Sequence, residues 1–379
     1  MNFSELKLHP ALKCAIESKG YAEPTPIQQQ AIPPILEGRD MLGCAQTGTG
    51  KTDAYAIPIL HRFLVASKPK RPRPIRALVL APTRELAAQI DASFQSLCSK
   101  IRVFHTVVYG GVSQVPQTRA LDRGVDILIA TPGRLLDLMN QGFVDLSRVE
   151  ILVLDEADRM LDMGFLPDIR RVMKAIPEQR QTLLFSATLP ASIRELAEDI
   201  LNQPEQVTIA PPASTVDSVE QRVFFVERPE KLTLLIKLFN RPEVTRALVF
   251  TRTKHGADKI ALRLEKEAIT AVSIHGDKSQ NNRERALAEF KRGSKRVLVA
   301  TDIAARGLDI HKVSHVVNFD LPDDPESYVH RIGRTGRAGA GGVALSFCGR
   351  DERGNLGSIE RLIRKRIAVA RNTDFRSQA

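Results

Sequence analysis

At roughly 150 residues per domain, a chain of 379 residues is sized for two domains. Its composition, 43% hydrophobic and 26% charged, suits full-sized cores, and no apolar run approaches the ~20 residues that a membrane-spanning helix needs. The net charge of +11 is uneven: residues 1–211 hold 24 Lys+Arg against 23 Asp+Glu, residues 212–379 hold 31 against 21, and the second half is therefore expected to meet a polyanion.

In chain order, the opening carries Glu5 and Lys7 where a secretory signal would be apolar, so export is not expected. Cys14, Cys44, Cys98 and Cys348 are scattered and form no C-x-x-C pair. That excludes a cysteine-rich zinc site, argues against a disulfide framework, and fits a reducing, cytoplasmic setting. His311 and His315 have an H-x3-H spacing with no third ligand near in sequence, so no metal site is expected there.

Gly20-Tyr-Ala-Glu-Pro-Thr-Pro-Ile-Gln28 reads as a Pro-bounded helix start. Beside a nucleotide site it can do more. A Gln28 amide pairs with adenine N6 and N7 in the way Gln reads adenine in DNA, and Tyr21 offers a stacking face.

That nucleotide site is Ala45-Gln-Thr-Gly-Thr-Gly-Lys-Thr52, which matches G-x4-G-K-[ST] except for Ala45 at the first position. Gly48 and Gly50 let backbone N–H groups wrap phosphates, Lys51 adds charge at the β- and γ-phosphates, and Thr52 offers a hydroxyl to Mg²⁺. The helix expected to start there turns its positive end toward the anion. Asp53 adds a negative charge nearby, with an effect on affinity of open sign.

Ser67 to Arg76, Pro-rich and basic, reads as a surface loop. Short continuous apolar runs then recur: Ala77–Leu80, Asp126–Ala130, Ile151–Leu154 and Thr182–Phe185, followed in the second half by Ala247–Phe250, Arg296–Ala300 and His315–Phe319. Such runs between helix-length amphipathic stretches predict strands buried on both faces, hence two doubly wound α/β domains in series. Ile209 to Val216, with paired prolines, is the predicted connector.

Each run leads into a polar cluster: PTREL, TPGR, DEAD and SAT in the first half, TRT and TDIAARGLD in the second. Parallel strands present their carboxyl ends along one edge, where ligands bind, so these clusters are expected to converge there. Asp155, closing Ile151–Leu154, is placed to hold Mg²⁺ through its water shell, and Glu156 to orient or deprotonate the attacking water.

The second half has no G-K-[ST] string. It has His330-Arg-Ile-Gly-Arg-Thr-Gly-Arg337, whose composition makes a poor core segment and a good phosphate-binding loop. Arg334 and Arg337 are candidates for arginine fingers, which stabilise the charge developing on a γ-phosphate.

Together these strings resemble the DEAD-box ATP-dependent RNA helicases, from about Phe3 to residue 365, and among them most the small bacterial members of the RhlE type. The elements, as they stand here, are Phe3, GYAEPTPIQ, AQTGTGKT, PTREL, Gly110-Gly111, TPGR, DEAD, SAT, TRT, Gln280 with Arg283, ATDIAARGLDI and HRIGRTGR. The resemblance implies two tandem RecA-like doubly wound parallel-sheet domains: residues 1–209, a short linker at 210–216, a second domain at 217–370 and a tail at 371–379. It implies ATP and Mg²⁺ as cofactors, with Phe3, Tyr21, Gln28, Thr47, Gly48, Thr49, Gly50, Lys51 and Thr52 on the nucleotide, Thr52 and Asp155 on the metal, and Gly307 and Asp309 reaching the nucleotide from the second domain. Arg334 and Arg337 become the fingers. Ser186 and Thr188 couple hydrolysis to strand separation, partly through Asp158.

RNA contacts are implied for Pro82, Thr83, Arg84, Gly111, Thr131, Gly133 and Arg134, then Thr251, Arg252, Gln280, Arg283, Thr301 and Asp302. These residue types suit phosphates and sugars, and with no Trp and 5% aromatics a base-stacking platform is not expected. The expected activity is RNA-stimulated ATP hydrolysis linked to domain closure, with sequence-independent binding of single strands and local, non-processive unwinding of short duplexes. Protein partners are expected among ribonucleoprotein or degradation machinery, and none in a membrane. An ATP-gated clamp and a DNA translocase are the competing readings. The intact SAT and finger strings speak against a static clamp, and DEAD with GYAEPTPIQ against the translocase.

Overall fold

The computed structural model describes residues 2–21, 23–46, 48–66, 73–99, 101–209, 219–305, 310, 313–335 and 342–370. The chain separates into two compact units, Met1–Ala210 and Pro211–Ala379. The connector expected at 210–216, the tail at 371–379, residues 67–72 of the basic loop and His311 lie outside the described residues.

In the first unit seven strands form one sheet: β1 (Met41–Cys44), β2 (Ala77–Leu80), β3 (His105–Val108), β4 (Ile127–Ala130), β5 (Ile151–Leu154), β6 (Gln181–Ser186) and β7 (Glu205–Thr208). Their order is β3-β4-β2-β5-β6-β1-β7, and every pairing is parallel. Alternate residues of one run serve opposite faces. Ala77, Val79, Ile151 and Val153 join the core that packs helices Lys51–Val65 and Arg84–Cys98, whereas Leu78, Leu80, Leu152 and Leu154 join the opposite core. Burial on both faces is why these runs carry no polar alternation. Gly43, inside the interior strand β1, has a packing cause: a Cβ there would lie 2.6 Å from the Phe185 ring.

The second unit has β8 (Val219–Phe225), β9 (Ala247–Phe250), β10 (Ala271–Ile274), β11 (Val297–Ala300), β12 (His315–Asn318), β13 (Gly342–Cys348) and β14 (Ala368–Val369). Their order is β10-β11-β9-β12-β13-β8-β14, again all parallel. Counted from its own first strand, this repeats the first unit's order. The two units are therefore topological duplicates without any short-period sequence repeat. Among the described residues no helix is long and apolar enough to cross a membrane.

Candidate nucleotide and RNA site

Register brings the motifs of the first unit to one sheet edge. Cys44 pairs with Ser186, Leu154 with Leu184, Leu80 with Leu154, and Ala130 with both Leu80 and Val108. Along that edge the order is therefore Gly110-Gly111 after β3, Thr131–Arg134 after β4, Pro82–Arg84 after β2, Asp155-Glu156 after β5, Ser186–Thr188 at β6, and the phosphate loop after β1. Candidate RNA residues occupy one half and nucleotide residues the other.

The phosphate loop runs from Ala45 into the helix Lys51–Val65. Gly48 and Gly50 have φ of +82° and +93°, conformations that glycine adopts without Cβ strain. A Cβ on Gly50 would also lie 2.6 Å from Gln28 Nε2. Gln28 in turn donates to the Gly50 carbonyl at 3.1 Å and accepts from the Thr25 N–H at 3.0 Å, so its amide ties the GYAEPTPIQ segment to the loop. Ala45 is fully buried and its N–H bonds the Ser186 carbonyl at 3.0 Å. Thr49 closes the loop on the Gln46 carbonyl at 2.8 Å, and Lys51 Nζ donates to the Ala45 carbonyl at 2.7 Å. Phe3 stacks with Tyr21, centroids 6.4 Å apart and planes 21° apart. Thr47 lies outside the described residues.

Asp155 is buried, with Oδ2 accepting the Tyr55 hydroxyl at 2.9 Å and Oδ1 lacking a hydrogen-bond partner. Burial pushes its carboxyl up to about 6, against the pull of Lys51. Tyr55, one helical turn beyond Lys51, was not foreseen; its spacing from Lys51 in a predicted helix was the available signal. Glu156 adopts φ +52° and is buried against Arg159, whose Nη1 donates to Glu156 Oε2 at 3.0 Å. Arg159 too was missed, although it follows Glu156 at i+3.

Asp158 closes the Ser186–Thr188 segment. Its Oδ2 accepts the N–H groups of Ala187 at 3.1 Å and Thr188 at 3.0 Å and the Thr188 hydroxyl at 2.9 Å, while the Asp158 N–H donates to Ser186 Oγ at 3.3 Å.

Among the RNA candidates, Thr83 caps the helix Arg84–Cys98 through a bond from the Leu86 N–H, and Pro82 is buried beside it. Arg84 lies against Gly111, where a Cβ would come within 1.7 Å of Nη1. Thr131 stands at the N-cap position of the helix Pro132–Asn140, without a side-chain capping bond, and Gly133 is exposed, with open space around it. Arg134 is turned inward: it donates to Gln117 Oε1 at 3.2 Å and the Val112 carbonyl at 3.3 Å, bracing the loop that carries Gly111.

In the second unit the candidates again follow the third, fourth and second strands: Gln280 and Arg283 after β10, Thr301 and Asp302 after β11, Thr251 and Arg252 after β9. Gln280 is buried at the start of the helix Gln280–Lys291 and donates to Glu284 at 3.0 Å, with Arg283 one turn on. Thr251 Oγ1 and the Arg252 N–H both donate to Asp320 Oδ2, at 2.8 and 2.9 Å, and the Arg252 side chain is exposed. Thr301 caps the short helix Asp302–Ala305, its carbonyl accepting from Ala304 and Ala305.

In its described part, residues 330–335, the expected phosphate-binding loop begins as the end of the helix Pro325–Ile332. Arg331, Arg334 and Thr335 are buried. Arg331 is tolerated in the interior because two 2.6 Å bonds reach the Asp302 carboxylate and further bonds reach Asn318 Oδ1 and the Asp320 carbonyl. The Asp302 carboxylate is thus committed to Arg331. Behind Asp320 sits an unforeseen buried cation, Lys231, bonded to Glu352 at 2.6 Å and the Phe319 carbonyl at 2.7 Å. Gly307, Asp309 and Arg337 lie outside the described residues.

Known proteins are similar to this chain across both units. The DEAD/DEAH box helicase family matches residues 25–196, and the helicase conserved C-terminal domain matches residues 230–339. The chain is 45% identical over 365 residues to the DEAD-box ATP-dependent RNA helicase CshA of Geobacillus kaustophilus, covering 96% of this chain and 77% of that protein. It is 44% identical over 372 residues to the ATP-dependent RNA helicase RhlB of Shewanella oneidensis, covering 97% and 85%. Among solved structures it resembles S. cerevisiae Dbp5 bound to RNA and ADP BeF3, with a TM-score of 0.84, 31% identity and coverage of 97% and 95%. The named relatives are of the CshA and RhlB kinds, and what they establish is the family. Two parallel sheets of one topology, a phosphate loop beside DEAD and SAT, and this breadth of similarity identify the chain as a member of the DEAD-box ATP-dependent RNA helicases, enzymes that hydrolyse ATP in an RNA-dependent manner.

Proposed function

We propose that the chain separates short RNA duplexes locally and remodels ribonucleoprotein complexes in the cytoplasm. It grips one strand by its backbone and links release to ATP turnover through closure of one unit on the other. The supporting observation is the order along the first sheet edge. RNA candidates follow β3, β4 and β2, nucleotide residues follow β5 and β1, and the Asp158-bound Ser186–Thr188 segment stands among them.

In this reading the loop Thr47–Thr52 cradles the triphosphate, and Lys51 exchanges the Ala45 carbonyl for phosphate oxygens. Gln28, Tyr21 and Phe3 take the base, and Gly307 and Asp309 meet the nucleotide from the second unit. Thr52 and Asp155 fit Mg²⁺: a buried carboxylate oxygen without a hydrogen-bond partner suits a hard cation that keeps most of its water, and Thr52 brings a hydroxyl oxygen, a hard donor, from the phosphate loop. When bound, Mg²⁺ supplies positive charge to the β- and γ-phosphate oxygens. Glu156, held by Arg159, orients or deprotonates the attacking water, and Arg334 and Arg337 act as fingers.

RNA is held at Pro82, Thr83, Arg84, Gly111, Thr131 and Gly133, and at Thr251, Arg252, Gln280, Arg283 and Thr301. Arg134 and Asp302 support this set from within, each committed to protein partners. Contacts of this kind go to phosphate and sugar, with 2′-hydroxyls separating RNA from DNA, so binding is sequence-independent and weakens with salt. Partners in ribonucleoprotein or degradation assemblies fit that activity.

The decisive variant is Glu156→Gln. It is expected to keep ATP-dependent RNA binding and lose turnover. Normal hydrolysis by this variant overturns the catalytic assignment.

A further inference from the structure

Asp53 is the third residue of the helix whose N-terminus forms the phosphate loop, and it is buried. A carboxylate in that position opposes the triphosphate it adjoins, and its burial costs several kcal/mol unless donors and a counter-charge offset it. Three donors from two segments surround it, the end of the helix Pro10–Ser18 and the helix Arg84–Cys98. Tyr21, just past the helix Pro10–Ser18, donates its hydroxyl to Oδ2 at 2.7 Å. Ser93, on the helix Arg84–Cys98, donates its hydroxyl to Oδ1 at 2.6 Å. Lys19 Nζ stands 3.4 Å from Oδ1 and 4.8 Å from the centre of the Tyr21 ring. Lys19 thus neutralises the carboxylate while covering the aromatic ring that the carboxylate holds by its hydroxyl.

What the carboxylate adds is a fixed distance between the phosphate-binding helix and the Tyr21 ring. We propose that Asp53 is a positioning residue for nucleotide recognition, latching Tyr21 to the phosphate-loop helix so that base and phosphates are read in one geometry, with Lys19 cancelling the charge and Ser93 fixing the carboxylate's rotation. The proposal rests on the reading that Tyr21 belongs to the base site.

The test is RNA-stimulated ATPase kinetics on the full chain, with ATP and with inosine triphosphate, which lacks the 6-amino group. Asp53→Asn and Tyr21→Phe are each expected to raise KM for ATP by about fivefold, the loss of one charge-assisted hydrogen bond, with a smaller change in kcat. Both are expected to narrow the preference for ATP over inosine triphosphate. The double variant is expected to be no worse than the poorer single, because Asp53→Asn weakens and Tyr21→Phe removes the same hydrogen bond. Tyr21→Phe retains the ring, so it decides the matter even if Asp53→Asn folds poorly. An unchanged KM and unchanged base preference in Tyr21→Phe overturns the latch, as do single effects that multiply in the double variant. Failure of the underlying reading looks different: substitution of the whole ring in Tyr21→Ala would then leave base preference untouched.

Discussion

Asp158 and Thr188 are joined twice, through the Thr188 N–H at 3.0 Å and its hydroxyl at 2.9 Å, both to the same carboxylate oxygen. That oxygen also holds the Ala187 N–H, so one side chain of DEAD sets the shape of the segment after β6. Thr188→Ala removes one of these bonds and leaves the two backbone ones. Its stability cost should be about 1 kcal/mol, while displacement of a short RNA duplex per ATP hydrolysed should fall several-fold. Strand displacement and phosphate release measured on one preparation give the ratio. A ratio equal to that of the unaltered protein would separate this bond from coupling.

Gly110 and Gly111 are adjacent but not equivalent. Gly111 has φ +77°, and a Cβ there would meet Arg84 Nη1 at 1.7 Å; at Gly110 the nearest atom is Arg84 Nη2 at 3.7 Å, an ordinary contact. Gly111→Ala must both strain the backbone and expel the Arg84 guanidinium. It is expected to weaken RNA binding by about tenfold, and Gly110→Ala far less. Titration of labelled single-stranded RNA compares them, and equal losses would count against the Arg84 contact.

Lys231 is buried between Glu352 and Asp320 and behind the Thr251–Arg252 turn. Lys231→Met removes the buried cation from the buried Glu352 carboxylate and the half-buried Asp320, leaving only the exposed Arg252 guanidinium 3.9 Å from Glu352, a change worth about 3–5 kcal/mol. Glu352→Gln keeps an acceptor for only one of the Leu321 and Gly349 N–H groups, which bond different carboxylate oxygens, and sets its amide N–H2 against the other, so it is also expected to destabilise the unit. With no tryptophan in the chain, urea unfolding is best followed by circular dichroism or hydrogen exchange. Near-native stability in Lys231→Met would show that the network is dispensable.

Asp258 supplies a pH dependence with a definite sign. Burial pushes its pKa up, but bonds from Ser273 Oγ at 2.5 Å, Lys278 Nζ at 2.9 Å and His275 Nε2 at 3.0 Å outweigh this and hold it at about 2. The unfolded carboxyl, near its ordinary value of about 4, binds protons more readily than the native one. The stabilisation is therefore present above about pH 4 and is lost as pH falls toward about 2. Asp258→Asn should be less stable than the parent at neutral pH, and the two curves should converge through this window. Parallel curves down to the acid limit would contradict the assignment.

Strands such as Ala77–Leu80 and Val297–Ala300 were legible because burial on both faces leaves an uninterrupted apolar run. Edge strands β3, β7 and β14 escaped notice because they are less fully buried and the run is broken by His105, Thr106, Glu205 and Gln206, or is only two residues long. The inward turn of Arg331 was misjudged for a related reason: composition reports a residue's cost of burial but not the Asp302 and Asn318 that offset it.

The motifs themselves, with their glycines, Lys51, Asp155 and Glu156, were settled by the amino-acid order, because a phosphate loop or a strand-end acid is made from neighbours in the chain. Which groups hold those residues was decided only on folding. Asp53 meets Ser93 forty positions away, Tyr55 meets Asp155 a hundred away, and Lys231 meets Glu352 across 121. Those partners are selected by sheet register and helix packing, and long-range register is a property of the assembled cores that no local string encodes.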